Sequence, residues 1–255
     1  MAIQVFLETR QVFTAAEFAR AFPDSQTDRN LLSRAVRNGR VERVRRGVYV
    51  SKIGPFSRTP ADPLDITVAV ADDAVFAYTS ALRLHGVLHN LTNRTQFFTA
   101  HRLSEFTYDR HHYLAHQVGA RAPDSQSLLT ATGRPHRVTT REQTLVDCLT
   151  RPRLAGGPEN VLRSLAGFAF IDSRRVAELA QHEGASARSR IGWVLQARRD
   201  AWSVPDEALS ALRASLGAGP SYFWSSTTPK DSHWVNDWKL YLPDPEEEMA
   251  TWLNG

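Results

Sequence analysis

Eight basic side chains fall between Thr27 and Lys52: Arg29, Arg34, Arg37, Arg40, Arg43, Arg45, Arg46 and Lys52. Only Asp28 and Glu42 oppose them, so this window carries +6 where the whole chain carries +4 and the remainder −2. Guanidinium groups at that density suit a polyanion. Each one that meets a phosphate releases condensed counterions, and its fork can also pair with the two major-groove acceptors of guanine. Asn30 supplies an amide of the kind that reads adenine, and Ser33 a hydroxyl that serves base or phosphate. The candidate DNA contacts are therefore Arg29, Asn30, Ser33, Arg34, Arg37, Arg40, Arg43, Arg45 and Arg46.

Other chemistries find less support. His112 and His116 would share one face of a strand and make half a metal site, but no cysteine, no HExxH and no close acidic ligand completes it. His85, His89, His101 and His111 lie nearby without a metal-ligand spacing, so no metal is expected. Asp237-Trp238-Lys239 has the second half of a PD-(D/E)xK nuclease motif, and Asp231 stands where the first acid is needed. The gap between them is too short for two strands and a turn. No phosphate loop, nucleophile elbow or dinucleotide fingerprint occurs. Cys148, the single cysteine, sits between Asp147 and Leu149 on a helix with Val146 close by and reads as a buried small residue. No catalytic residue and no cofactor is expected.

The basic window needs elements to aim it, and the local signals supply them. Residues 2–10 suit a short helix. Thr14-Ala15-Ala16-Glu17 fits a capping box, with Phe13 and Phe18 as its hydrophobic staple, and Pro23 ends that helix by Phe22. A second helix is expected from Thr27 to Asn38, closed by Gly39 in the left-handed conformation. At 100° per residue, Leu31, Leu32, Ala35 and Val36 fall on one side, and Asn30, Ser33, Arg34 and Arg37 on the other. Residues 40–44 and 48–50 then read as two strands turning through Arg45-Arg46-Gly47. Helix, turn, polar-faced helix and basic hairpin is the order of a winged helix-turn-helix, which sets its second helix in the major groove.

The proline-rich stretch 53–63 reads as a linker, giving a DNA-binding domain over 1–52 and a C-terminal body over 64–255, with a possible sub-boundary near 151–158. In the body, helices are expected at 64–71, 79–85, 159–165, 173–181, 187–199 and 206–216. Strands are expected at 74–77, 95–99, 111–117 and 136–139. Thr139-Thr140-Arg141-Glu142 suggests a second capping box, Asp172 an N-cap and Gly184 a helix stop. SYFW and DWKLYL read as strands before an acidic end. The fold class is thus α+β, a winged helix-turn-helix followed by a larger mixed α/β body.

FTAAEFARAF (Phe13–Phe22) and LLSRAVRNGRVERVRRGVYV (Leu31–Val50) resemble the N-terminal domain of AbiEi-type antitoxins of type IV toxin–antitoxin, or abortive infection, systems. The resemblance continues in SALRLHGV (Ser80–Val87), VTTREQTLVDCLTRP (Val138–Pro152) and RIGWVL (Arg190–Leu195), with Gln143 standing where an arginine is expected. It implies a bacterial transcriptional autorepressor in phage defence, whose partners are operator DNA and a nucleotidyltransferase-like toxin that its C-terminal region counteracts. A DNA-targeted nuclease and a protein-interaction module are the alternatives. At 255 residues, with 42% hydrophobic and 23% charged residues, the composition excludes a disordered tail, a collagen-like fibre and a membrane protein. No signal peptide is read at the start, so the expected location is the cytoplasm.

Overall fold

A computed structural model of the chain describes residues 3–23, 25–119, 121–130, 133–224, 229–243 and 245–254, with the side chains of all of these except 25–29 and 231. In chain order the first elements are α1 (Ile3–Thr9), β1 (Val12–Thr14), α2 (Ala15–Ala21), α3 (Ser25–Arg37), β2 (Val41–Arg45), β3 (Val48–Ser51) and α4 (Pro63–Val70). Next come β4 (Val75–Phe76), α5 (Tyr78–Leu84), β5 (Arg94–Thr99), β6 (Phe106–Tyr108), β7 (His111–Gln117), β8 (Ser125–Leu129) and β9 (Pro135–Thr139). Helices α6 (Arg141–Thr150), α7 (Pro158–Ala166), α8 (Ser173–Ala180), α9 (Ala185–Ala197) and α10 (Asp206–Ala214) follow. The chain ends in β10 (Ser221–Tyr222), β11 (His233–Val235), β12 (Leu240–Leu242) and α11 (Glu246–Asn254).

These elements divide into two compact units, Met1–Ala74 with Thr99–Gln117, and Val75–Phe98 with Val118–Gly255. The first is larger than the 1–52 segment alone. Its nucleus is a set of buried aromatics: Phe6 meets Phe13 and Phe18 edge-on at 5.2 and 5.4 Å, and Phe13 stacks on Tyr49 at 5.8 Å. Ala35 and Val41 complete the buried set. A three-stranded antiparallel sheet, ordered β1-β3-β2, frames it. β1 adds a strand to the expected hairpin. The stretch read as a linker holds a 3-10 turn at Gly54–Phe56, packs Ile53 on the aromatic core and accepts a hydrogen bond from Gln11 at Thr59 O. Behind it α4 lies against β1 and β3 with Ile66 buried.

In the second unit the strands run in the order β5-β4-β9-β8, with β4 and β9 parallel and the other neighbours antiparallel. Helices α6 to α10 and the small sheet β10-β12-β11 share one core around Trp193, Trp202, Phe223 and Trp238. Three local readings shift. The cap of α6 is Thr140, which accepts from Gln143 N–H at 3.2 Å. Glu142 instead accepts from Asp172 N–H at 3.1 Å. Gly184 opens α9 as its N-cap rather than stopping α8. The acidic end is the first turn of α11, where three glutamates suit the positive helix terminus. Asp172 caps α8, accepting from the Arg174 and Arg175 N–H groups.

Asp147 of α6 is buried, with Oδ1 accepting from Gln143 Nε2 at 2.8 Å and Oδ2 lacking a hydrogen-bond partner among the described residues. Burial pushes its carboxyl from 3.8 up to about 7; the Gln143 bond and the Arg151 charge pull the other way, and Glu183 adds to the rise. A carboxyl raised this way binds its proton more tightly in the folded chain, so it costs stability as pH rises through that interval. The stability of Asp147→Asn relative to the parent should therefore climb across the same interval, reaching about 1–4 kcal/mol above it. Urea unfolding of both proteins at about pH 5 and about pH 8 checks this, and an equal difference at the two pH values would contradict it.

Candidate nucleic-acid interface

The first unit positions the basic window through short-range chemistry. Thr14 caps α2 in a complete capping box: its Oγ1 accepts from Glu17 N–H at 3.1 Å, and Glu17 Oε2 accepts from Thr14 N–H at 2.7 Å. Phe13 and Phe18 form the staple at 6.0 Å between centroids. Both devices fix the angle at which α2 leaves β1. At the far end of α3, Gly39 adopts φ +67° and Arg40 N–H reaches back to Ala35 O at 3.0 Å, the six-to-one bond of a Schellman cap. That reversal sends the chain directly into β2.

Helix α3 presents the two faces its sequence predicts. Ala35 is buried and Leu31, Leu32 and Val36 pack on the aromatic core, whereas Asn30, Ser33, Arg34 and Arg37 are exposed. The Arg29 side chain lies outside the described residues. The wing turns at Arg46-Gly47, with Gly47 at φ +87° and its carbonyl accepting from Ala15 N–H at 2.8 Å. The strand register slips between Arg43 and Arg45, a bulge that twists the hairpin near its tip. Arg43 and Arg46 are exposed there.

Three of the basic residues have partners that local sequence does not reveal. Arg40 Nη2 donates to Gln4 Oε1 of α1 at 2.7 Å. Arg45 is half-buried, its guanidinium lying 5.0 Å over the Phe106 ring, and Phe106 in turn stacks on Tyr113 at 4.5 Å. Lys52 pairs with Glu42 at 3.2 Å and lies over the Tyr108 ring, while Tyr108 OH donates to Glu42 Oε2 at 2.8 Å. The Tyr108 bond holds the Glu42 carboxyl below its ordinary range despite partial burial, and Lys52 reinforces it. The antiparallel β6–β7 hairpin therefore braces the wing with Phe106, Tyr108 and Tyr113, residues the window reading missed. A run of alternating aromatics in a short hairpin was the available signal, but its target lies about sixty positions away.

The remaining candidate sites disperse. His112 Nδ1 meets Thr107 Oγ1 at 3.1 Å across the hairpin. Among the described residues, the ligand-type side chains that gather in a group of three are Asp72, Asp73 and His101. Both Asp73 oxygens already accept, from Thr99 Oγ1 and Ala100 N–H at 2.7 Å each, which makes it a loop brace. Asp237 and Lys239 sit in the tight turn between β11 and β12. There Asp237 faces Arg213 at 3.7 Å and Lys239 Nζ donates to Gly217 O at 3.0 Å. Cys148 is fully buried, and burial pushes its thiol up.

The exposed wing arginines carry a prediction. Arg43→Ala and Arg46→Ala should each lower the slope of log affinity against log salt by about 0.9, weakening matched and unmatched DNA alike. Titrations at several salt concentrations measure it, and unchanged slopes would remove the wing tip from the interface.

Comparison with known proteins agrees with this geometry. The chain is similar in fold to the RV2827C protein from Mycobacterium tuberculosis, whose crystal structure superposes with a TM-score of 0.67 at 20% identity, over 96% of this chain and 89% of that one. Among curated proteins, none matches the sequence. Residues 2–52 match the profile of a family described as the AbiEi antitoxin transcriptional regulator. That segment holds the capped α2, the two-faced α3 and the wing, so the N-terminal module is similar to that family over residues 2–52.

Proposed function

We propose that the chain is the DNA-binding autorepressor and antitoxin of a type IV toxin–antitoxin system, acting in the cytoplasm on its own promoter and countering a nucleotidyltransferase-like toxin encoded beside it. The observation that carries this reading is the exposed row Asn30, Ser33, Arg34 and Arg37 on α3, with Arg43 and Arg46 exposed at the wing. A face of amide, hydroxyl and forked cations has the donor set for base edges, and the wing cations suit the flanking phosphates. Arg29 remains a candidate contact from the sequence alone. Arg40 and Arg45 act chiefly through their contacts with Gln4 and Phe106, holding helix end and wing in position. The family match of residues 2–52 supports the regulator role, and the sequence resemblance in the C-terminal body supports the antitoxin role.

The test pairs two readouts in one strain. A reporter driven by the chain's own upstream DNA should be silenced by the intact protein, and cells expressing the neighbouring gene should recover growth when the protein is supplied. Repression without rescue would leave a regulator that is not an antitoxin. An unaffected reporter would overturn the autorepressor reading.

A further inference from the structure

The second unit contains a cleft of about 390 Å³ at the end of α6, a size ordinary for a small-molecule site. Its walls are Thr150 to Leu154, Arg190 of α9, Phe223 and Trp224. Three of these residues are arginines, and none of the described lining residues is acidic. The lining surface is otherwise mostly apolar, supplied by Pro152, Leu154 and the two aromatics.

Arg190 is the unusual member. Its Nη1 donates to Tyr222 O and Phe223 O at 3.3 and 3.2 Å, and its Nη2 donates to Thr150 O at 3.4 Å. Its Nε has no hydrogen-bond partner among the described residues, nor does the buried hydroxyl of Thr150, another residue of the cleft lining. The cation is thus held by three main-chain carbonyls and has no anionic partner among the described residues. Burial lowers its pKa to about 10, the mark of a charge that has lost water without gaining a counter-ion. At the rim, Arg151 serves Tyr78 and Asp147, and the guanidinium of Arg153 lies 5.8 Å over the Trp224 ring. Both are exposed. An anion bound here would relieve the Arg190 charge, and a flat apolar group would cover the indole.

We propose that this cleft binds a nucleoside monophosphate, its phosphate at the Arg151 and Arg153 rim within the field of Arg190 and its base against Trp224. Two exposed guanidiniums, Arg151 and Arg153, backed by the buried Arg190 charge, suit a dianionic phosphate better than a single carboxylate, because a fork can pair with two oxygens of one tetrahedral group. The apolar wall requires a ligand with a planar ring, which inorganic phosphate lacks. The proposal concerns the second unit alone and is independent of the DNA-binding reading.

Calorimetric titration of the intact protein without DNA tests it, using AMP, GMP, CMP, UMP, adenosine and inorganic phosphate as probes. At least one nucleotide should bind about tenfold more tightly than either adenosine or phosphate. Arg153→Gln and Trp224→Ala, both at accessible positions, should each weaken that nucleotide about fivefold or more, while Arg83→Gln on α5 leaves it unchanged. Circular dichroism of each variant confirms that it is folded. Three results would overturn the proposal: no nucleotide binding up to about 10 mM, phosphate binding as tightly as the nucleotides, or full affinity in both cleft variants.

Discussion

Alanine at both Arg34 and Arg37 is expected to weaken binding to the protein's own operator by about 2–6 kcal/mol while leaving binding to unrelated duplex far less affected. Each bidentate arginine–base pair is worth about 1–3 kcal/mol of discrimination, and the two side chains sit one turn apart on the exposed face of α3. Their backbone is anchored from behind by Ala35, buried between them in the aromatic core, so truncating them removes donors without disturbing packing. The loss should therefore fall on selectivity and not on folding. Competition titrations with operator and shuffled duplexes read the ratio directly. A double variant that keeps the parental ratio would show that another surface reads the bases.

The largest effect on stability is expected at Gly192. A methyl group there would lie 2.0 Å from Trp238 Cζ3 and 2.3 Å from Cε3, far inside contact distance. Trp238 cannot yield easily. It is fully buried, donates from Nε1 to Gln196 Oε1 at 2.9 Å, and has the Arg213 guanidinium 4.9 Å from its ring. Gly192→Ala must push either α9 or the indole out of a packed core, at a cost of about 3 kcal/mol or more. Trp238→Leu alone also destabilises, by leaving a void, but in the double variant the methyl group has room. The two changes should therefore couple favourably, the double variant being more stable than the sum of the single losses by about 1 kcal/mol or more. Chemical denaturation of the four proteins measures it, and a Gly192→Ala loss below about 1 kcal/mol would contradict the packing described.

What the sequence disclosed and what it withheld follow from the range of the interactions. The Thr14 capping box, the Phe13–Phe18 staple, the Gly39 cap and the opposed faces of α3 all depend on residues within seven positions of each other, and the structure contains each of them. The sharpest features of the candidate site were therefore legible. Elements of three to five residues escaped: β1 (Val12–Thr14), β6 (Phe106–Tyr108) and β8 (Ser125–Leu129) are too short for a period to show, and pairing across the sheet defines them. Thr139 and Thr140 both have capping chemistry, and tertiary context chose Thr140 because Glu142 is engaged by Asp172. PDPEEE reads only as an acidic end, yet Met249 and Leu253 behind its three glutamates are buried and turn them into a helix start. Arg45 reads as a phosphate-facing wing cation and Lys52 as one more charge of the basic window. Phe106 and Tyr108, far along the chain, give them partners.

Together, the α3 face and the wing are proposed to read duplex DNA. A salt-dependent equilibrium titration of the intact protein, on its own upstream sequence and on a shuffled duplex of equal length, tests it most directly. Log affinity should fall linearly with log salt on both, with a preference of about 10³ or more for the upstream sequence at physiological salt. Equal affinity for the two duplexes, or binding indifferent to salt, would contradict it.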